Sequence, residues 1–448
     1  MSLVNSVRYA SVLALIFLIA WVHNFLPKAL FPFYFSPIIL TYQPFLVDEL
    51  KEIYFICVGV LLTIGMVLSL AFPKYKSKIA LAISAIVLVF IFSPVLALYL
   101  LTVPILLYYL VNSILPKIYS RCLTNNPEFE VPLKLTCYFS VWALFCIIIP
   151  WSYVISNPRA DFLRIIFLSI FSIRIALYMY DIELKKFKMS LINTLLYFLF
   201  PSHFFIIPSW IVCPFPSEFR THDSKKELYS LSQDGTKKIF IGTLYLLLVL
   251  IVGYLVNTIF GYYPTQILSQ MTVSSSWVQR TGFILMLSFL KIAYFFFIAD
   301  IITGLYAFFG IKLTVPIFNN PFYSRNIFDF WNRFLIQTKN FILKLFVYPL
   351  FNIFKKYSPY TQLNFFMSLI IAFLFIDIPV HMFVVFDKNT AFDKNEFLFK
   401  WYLALMSLFA FYFLWRQFVP KKIQLFGEHP VGRLAKSTFW IALICYFY

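Results

Sequence analysis

The chain returns again and again to apolar runs long enough to cross a membrane. They lie near residues 8–26, 53–72, 79–95, 97–115, 132–153, 162–180, 239–259, 282–310, 363–386, 399–418 and 434–448. An α-helix needs about 20 such residues to span roughly 30 Å of hydrocarbon. Lipid offers the backbone no hydrogen-bond partners, so segments of this kind have few options besides helix. Composition agrees: 61% of the 448 residues are hydrophobic and 12% are charged, whereas soluble domains carry about 25% charged residues. No polar stretch is long enough to form a separate soluble domain. The expectation is one integral membrane domain over residues 1–448, an all-α polytopic bundle of about 11 spans with re-entrant helices.

Two places need a decision about continuity. Between residues 79 and 115 the apolar run is broken only by Ser93-Pro94, and proline disrupts a helix interior, so two spans meet there at a turn. Residues 191–212, "LINTLLYFLFPSHFFIIPSWIV", hold two prolines and His203. That pattern suits a broken or re-entrant helix, whose irregular backbone is buried by protein.

A formal net charge of +18 raises the question of nucleic acid. The Lys and Arg residues, however, occupy short loops between spans, which is how cytoplasmic loops are marked. No nucleic-acid partner is expected. With an inside N-terminus bearing Arg8, the inside loops are "PKYKSK", "PKIYSR", "LKKFK", "EFRTHDSKKEL", 311–362 and "PKKIQLFGEHPVGRLAK". The outside loops are 27–52, 154–161, 260–281 and 387–398, all poor in Lys and Arg. This layout holds if 191–212 does not cross. The first apolar run reaches spanning length without a clear cleavage site and reads as a retained helix in a cytoplasmic (inner) membrane protein. The six cysteines form no CxxC pair, and the five histidines are too dispersed for metal-ligand spacing, so no metal is expected.

Ionisable side chains inside apolar spans are expensive and mark candidate sites. Arg174 sits within "FSIRIALYMYDI"; it would pair with a carboxylate such as Asp300 or Asp377, or face a watery cavity that takes an anionic donor. Asp377 and His381 lie four residues apart in the 363–386 span, so they share a helix face. A carboxylate on one imidazole nitrogen would fix the tautomer and leave the other nitrogen as a base. Equally, the two could be a packed polar pair. His203 would line the same cavity or serve structure.

The densest polar island is "NIFDFWNRFLIQTKNF" (326–341), with an Asp, an Arg, a Lys, three Asn, a Gln and a Trp. Asp329 and Arg333 are spaced for a local i, i+4 salt bridge. Around the island the order of features is Asp300 and Gly304, Gly310, "IFNNPFYS" (317–324), Asp329-Phe330-Trp331 with Arg333, then "LFVYPL" (345–350). Upstream lie "FSIRIALYMYDIELKK" (171–186), with Tyr178, Tyr180 and Asp181, and "LFPSHFFIIPSWI" (199–211). These stretches together resemble the membrane-bound O-acyltransferase (MBOAT) family over residues 160–420. They are most similar to its bacterial branch that O-acylates cell-surface polymers, of the alginate O-acetylation and teichoic acid D-alanylation type.

The resemblance implies a helical ring around a cavity that crosses the membrane. It implies His381, in "FIDIPVHMF", as the catalytic base, with Asp377 orienting it. Asn332 would supply a polar group near the place of the family's second polar residue, and Asp329, Trp331, Arg333, Arg174 and His203 would border the substrates. The sequence departs from the family pattern at Leu335, Val380 and Met382. No bound cofactor is implied; the donor would be acyl-CoA or an acyl-carrier thioester. Partners would be membrane lipids, the donor, and a periplasmic or extracellular protein that completes transfer. The departures keep a second reading open, a catalytically inactive acyl- or lipid-binding or transport subunit.

Overall fold

The computed structural model describes residues 54–91, 94–123, 136–137, 140–141, 172–184, 187–201, 212–222, 224–260, 277–319, 321, 329, 332–334, 336–356, 358–361 and 363–372. Of the described residues, 84% are helical. The chain divides into two compact units, Met1–Thr272 with Ala293–Val315, and Val273–Ile292 with Pro316–Tyr448.

In the first unit α1 (Tyr54–Ala71) is followed by a 3-10 turn, Pro73–Tyr75, and α2 (Lys76–Ile86), which runs on through a π-turn at Val87–Ile91. Helix α3 (Pro94–Tyr109) begins at the proline that the sequence marks as a break, since proline fits the first turn of a helix where no amide is needed. A second π-turn, Leu110–Ile114, joins it to α4 (Leu115–Leu123). Then come α5 (Ser172–Met179), a π-turn at Tyr180–Leu184, α6 (Leu191–Leu199), a 3-10 turn at Pro216–Glu218, β1 (Phe219–Thr221) and α7 (Lys225–Phe260). Helix α8 (Trp277–Phe308) and β2 (Ile311–Leu313) follow. The remaining described helices are α9 (Ile336–Ile342), with a π-turn at Leu343–Val347, α10 (Tyr348–Lys355) and α11 (Leu363–Ala372).

Among the described residues, two stretches are long and apolar enough to cross a membrane, Ala97–Cys122 and Lys226–Val256. Shorter apolar helices cover Cys57–Ala71, Ile292–Phe308 and Leu363–Ala372. Many large apolar side chains on these helices face outward, among them Val67, Leu98, Leu106, Ile251 and Tyr254. Outward-facing grease of this kind suits a lipid solvent.

Helices α7 and α8 run antiparallel and meet at glycines. A Cβ on Gly235 would lie 2.6 Å from the Gly304 carbonyl oxygen, and one on Gly304 would lie 2.9 Å from the Gly235 oxygen. One heptad further along α7, Gly242 faces Ile301 and Asp300, and Tyr245 packs on Phe296. Small residues let two helix backbones approach closely, the main source of helix packing where lipid removes the hydrophobic drive.

The segment 191–212 is not one continuous helix. Helix α6 has nine residues, about 14 Å at 1.5 Å per residue, and its Ser190 cap accepts from the Asn193 amide at 3.3 Å. Beside it, the Tyr197 hydroxyl donates to the Pro214 carbonyl at 2.9 Å.

One element departs from an all-helical expectation. β1 and β2 form a two-stranded antiparallel ribbon with Phe219 opposite Leu313, Arg220 opposite Lys312 and Thr221 opposite Ile311. Gly310 makes the entry to β2 possible, because its φ of +82° is a left-handed conformation that a side chain would strain.

The ribbon lies beside another helix end. Lys76, at the start of α2, donates to the Phe308 carbonyl at 3.1 Å and to the Ser232 hydroxyl. Its ammonium also lies 5.1 Å from the centre of the Phe308 ring. A cation at the C-terminus of α8 suits the negative end of the helix dipole. Burial lowers the Lys76 pKa from its ordinary 10.5 to about 8.

Overpacking a tight contact costs about 1–3 kcal/mol, so Gly304→Leu should lower the Tm of the full-length protein in detergent. Gly282→Ala, where a Cβ meets nothing within 4 Å, should leave the Tm unchanged. The folded pKa of Lys76 lies below the unfolded one, so between pH of about 8 and 10.5 the unfolded chain holds the extra proton. Stability should therefore rise with pH across that window. Lys76→Met should remove this part of the slope in a pH series of melting curves.

Candidate functional site

Each unit holds a polar cluster. The first is built around Arg174 on α5, which is 2% exposed. Its guanidinium donates to the Tyr197 carbonyl, to the Val212 carbonyl at 3.2 Å and to the Tyr306 hydroxyl at 3.3 Å. It also lies 5.0 Å from the Tyr197 ring centre. Aromatic rings wall this arrangement: Phe200 stacks on Tyr306 at 4.2 Å, and Phe219 sets its edge on Tyr197 and Tyr306 at 5.7 and 5.6 Å. One side chain thus holds together the end of α6, the chain at Val212 and the C-terminal turn of α8.

Arg174 had two readings from sequence, ion pairing within the protein or a watery cavity. The acceptors named above are carbonyls and a phenol, contributed by segments 23 to 132 residues away in sequence. These contacts tie three segments of the first unit together. Asp300, offered as a partner, lies instead on the helix face that Gly242 approaches.

Two carboxylates serve the same end of the unit. Asp181, fully buried in the π-turn after α5, accepts from the Ser217 amide at 2.8 Å and hydroxyl at 2.6 Å. Glu218 accepts from the Phe215 amide at 3.1 Å, which closes the 3-10 turn Pro216–Glu218. Buried carboxylates are tolerable when the backbone supplies donors of this kind. Asp181 was legible as part of the "YMYD" stretch, but its partner was not, because Ser217 lies 36 residues further on.

The second cluster is the polar island. The Arg333 Nε donates to Asp329 Oδ1 at 2.9 Å, the i, i+4 salt bridge expected from spacing. Backbone bonds tie the island to the preceding stretch: Asn319 N to Arg333 O and Ile336 N to Ile317 O, both 2.8 Å. Phe318 packs on Phe334 with ring centres 5.2 Å apart. The Lys339 ammonium donates to Asn332 Oδ1 at 3.0 Å. Lysine has donors only, so it fixes the amide orientation and leaves the Asn332 NH2 as the outward donor. Partial burial lowers the Lys339 pKa.

Trp331, Leu335, Asp377, Val380, His381, Met382 and His203 lie outside the described residues. Of the residues singled out from sequence, the structure brings Asp329 and Arg333 together and places Asn332 against Lys339. Among the described residues, no group of three or more His, Cys, Asp or Glu side chains is arranged to hold a metal ion. His222, just before α7, faces Glu227 in the first turn of that helix at 3.2 Å.

No family model matches the chain, and no curated protein matches it.

The Arg174 tie is testable by replacement. A stranded buried acceptor costs about 1–3 kcal/mol, and lysine cannot reproduce the guanidinium fork. Both Arg174→Ala and Arg174→Lys should sharply reduce the yield of monodisperse protein in detergent. A well-folded Arg174→Ala protein with altered anion binding would instead indicate a cavity role.

Proposed function

We propose that this chain is a multi-pass membrane O-acyltransferase. It would move an acyl group from a cytoplasmic thioester to a hydroxyl of a surface polysaccharide, glycan or lipid. The observation that supports the reading best is the joining of two stretches that carry the MBOAT resemblance. "IFNNPFYS" and the Asp329–Arg333 helix are distinct in sequence, yet backbone bonds at 317–336 and 319–333 make them one local unit. Motifs expected to act together are thus held together.

The eleven-span layout, with the N-terminus and the 311–362 segment inside, belongs to this proposal. Its support is the loop charge pattern and the proximity of three loops assigned inside. Lys76 of "PKYKSK" reaches Ser232 and the end of α8, and β1 of "EFRTHDSKKEL" pairs with β2 of 311–362. Loops that touch must lie on one side of a membrane.

The chemistry is as follows. His381 removes the proton from the acceptor hydroxyl as a general base. The oxygen attacks the thioester carbonyl carbon, a C–O bond forms, and the carbon–sulfur bond breaks. The thiolate leaves and takes up the proton that His381 received. Asn332, its oxygen held by Lys339, offers its NH2 to the oxyanion of the intermediate. Asp377 holds the imidazole in the tautomer this requires.

The apolar Leu335 favours the second reading, a catalytically inactive acyl- or lipid-binding or transport subunit. One set of variants separates the two. General-base removal typically costs about 10²–10⁴-fold in rate. His381→Ala should therefore abolish transfer from a labelled acyl thioester in proteoliposomes while insertion stays intact. Asp377→Asn should lose less. Full transfer by His381→Ala would refute the assignment of the base, and no transfer by the wild type with retained acyl binding would favour the inactive subunit.

A further inference from the structure

The ribbon sets Arg220 directly opposite Lys312. Flanking bonds fix this register from both ends, His222 N to Gly310 O at 3.1 Å and Thr314 N to Glu218 O at 3.0 Å. The alternate residues Phe219 and Ile311 are buried, whereas Arg220 and Lys312 project from the exposed face. Side chains opposed in this way have Cβ atoms about 4.5–5.5 Å apart, and like charges there repel. In a ribbon with three residues per strand, that repulsion works against much of what the pairing can contribute.

Among the described residues neither cation has an ion-pair or hydrogen-bond partner. Three described carboxylates nearby are engaged elsewhere: Asp181 with Ser217, Glu218 with the Phe215 amide, and Glu227 with His222. The position of the ribbon indicates what can balance the charge. It follows directly on the end of α8, whose Phe308 carbonyl is held by Lys76. The turn that carries Lys76 exposes Phe72 and Tyr75, with Lys74 and Lys78 beside them. Exposed aromatic rings among lysines are the side chains of a membrane–water boundary. Ribbon and boundary residues therefore lie at one level.

We propose that Arg220 and Lys312 form a binding site for the phosphate of an anionic phospholipid headgroup in the leaflet on this side. The guanidinium fork and the ammonium donate to different phosphate oxygens, and the bound anion removes the repulsion across the ribbon. Lipid then acts as the missing member of the strand pair and holds the joined ends of α7 and α8. This inference rests on the membrane embedding of the chain and not on acyl transfer.

The test uses the full-length protein in a neutral detergent, titrated with short-chain phosphatidylglycerol or phosphatidylcholine while Tm is followed. Phosphatidylglycerol should raise Tm and phosphatidylcholine should not. Each basic residue near an anionic surface contributes about 1 kcal/mol, so R220Q/K312Q should raise the half-maximal concentration about 30-fold. Lys312→Glu creates an ion pair with Arg220, and should raise the lipid-free Tm and abolish the phosphatidylglycerol response. An unchanged response in both variants would overturn the proposal. So would an equal rise in Tm with inorganic phosphate at matched concentration, because the site would then take free phosphate. If R220Q/K312Q does not fold, the Lys312→Glu result decides alone. Activity lost in His381 variants with the lipid response retained would leave this site standing.

Discussion

A guanidinium or ammonium withdrawn from water needs several acceptors within reach, and apolar helices offer few apart from the carbonyls at their ends. Arg174 and Lys76 both meet that need in this way. Arg174 takes the carbonyls of Tyr197 and Val212, and Lys76 takes that of Phe308. Asp181 and Glu218 show the same economy with opposite sign, accepting from the amides of Ser217 and Phe215. Buried charge and helix-end backbone thus satisfy each other. The Arg174, Lys76 and Asp181 ties join segments remote in sequence, so these segments are fastened to one another. The Gly235–Gly304 crossing then brings α7 and α8 close just inside those fastenings.

Much of the described helical layout can be read from the sequence because its signals are local. Pro94 opens a helix where an apolar run needed dividing, and Asp329 and Arg333 meet because four residues make one turn. Pro201 marks the place where helix α6 has ended, at Leu199. What stayed hidden is non-local. Strands of three residues carry no period that separates them from loop, so the β1–β2 ribbon had no signature. Lys76 read as one of several loop charges, although it is 3% exposed. The carbonyls of Tyr197 and Val212 that meet Arg174 were hidden too, because a sequence does not reveal which backbone carbonyls will come within reach.

The polar island illustrates the same division. Its salt bridge is local and legible, while the cross-bonds to Ile317 and Asn319 and the hold of Lys339 on Asn332 are products of the fold. They give the proposed acyl-transfer reading a physical form. A donor amide fixed by a lysine is the kind of group that can meet developing negative charge without reorganising. Its supposed partner in chemistry, His381, rests on the sequence resemblance.

The proposal as a whole depends on the tied helix ends lying together at the cytoplasmic face. Single cysteines at positions 74, 312 and 266 in a cysteine-free background test this directly, with a membrane-impermeant maleimide applied to intact cells and to inverted vesicles. The expected result is labelling of positions 74 and 312 from the cytoplasmic side only, and of 266 from the outside only. Labelling of 74 and 312 from opposite sides, or of both from outside, would contradict the account.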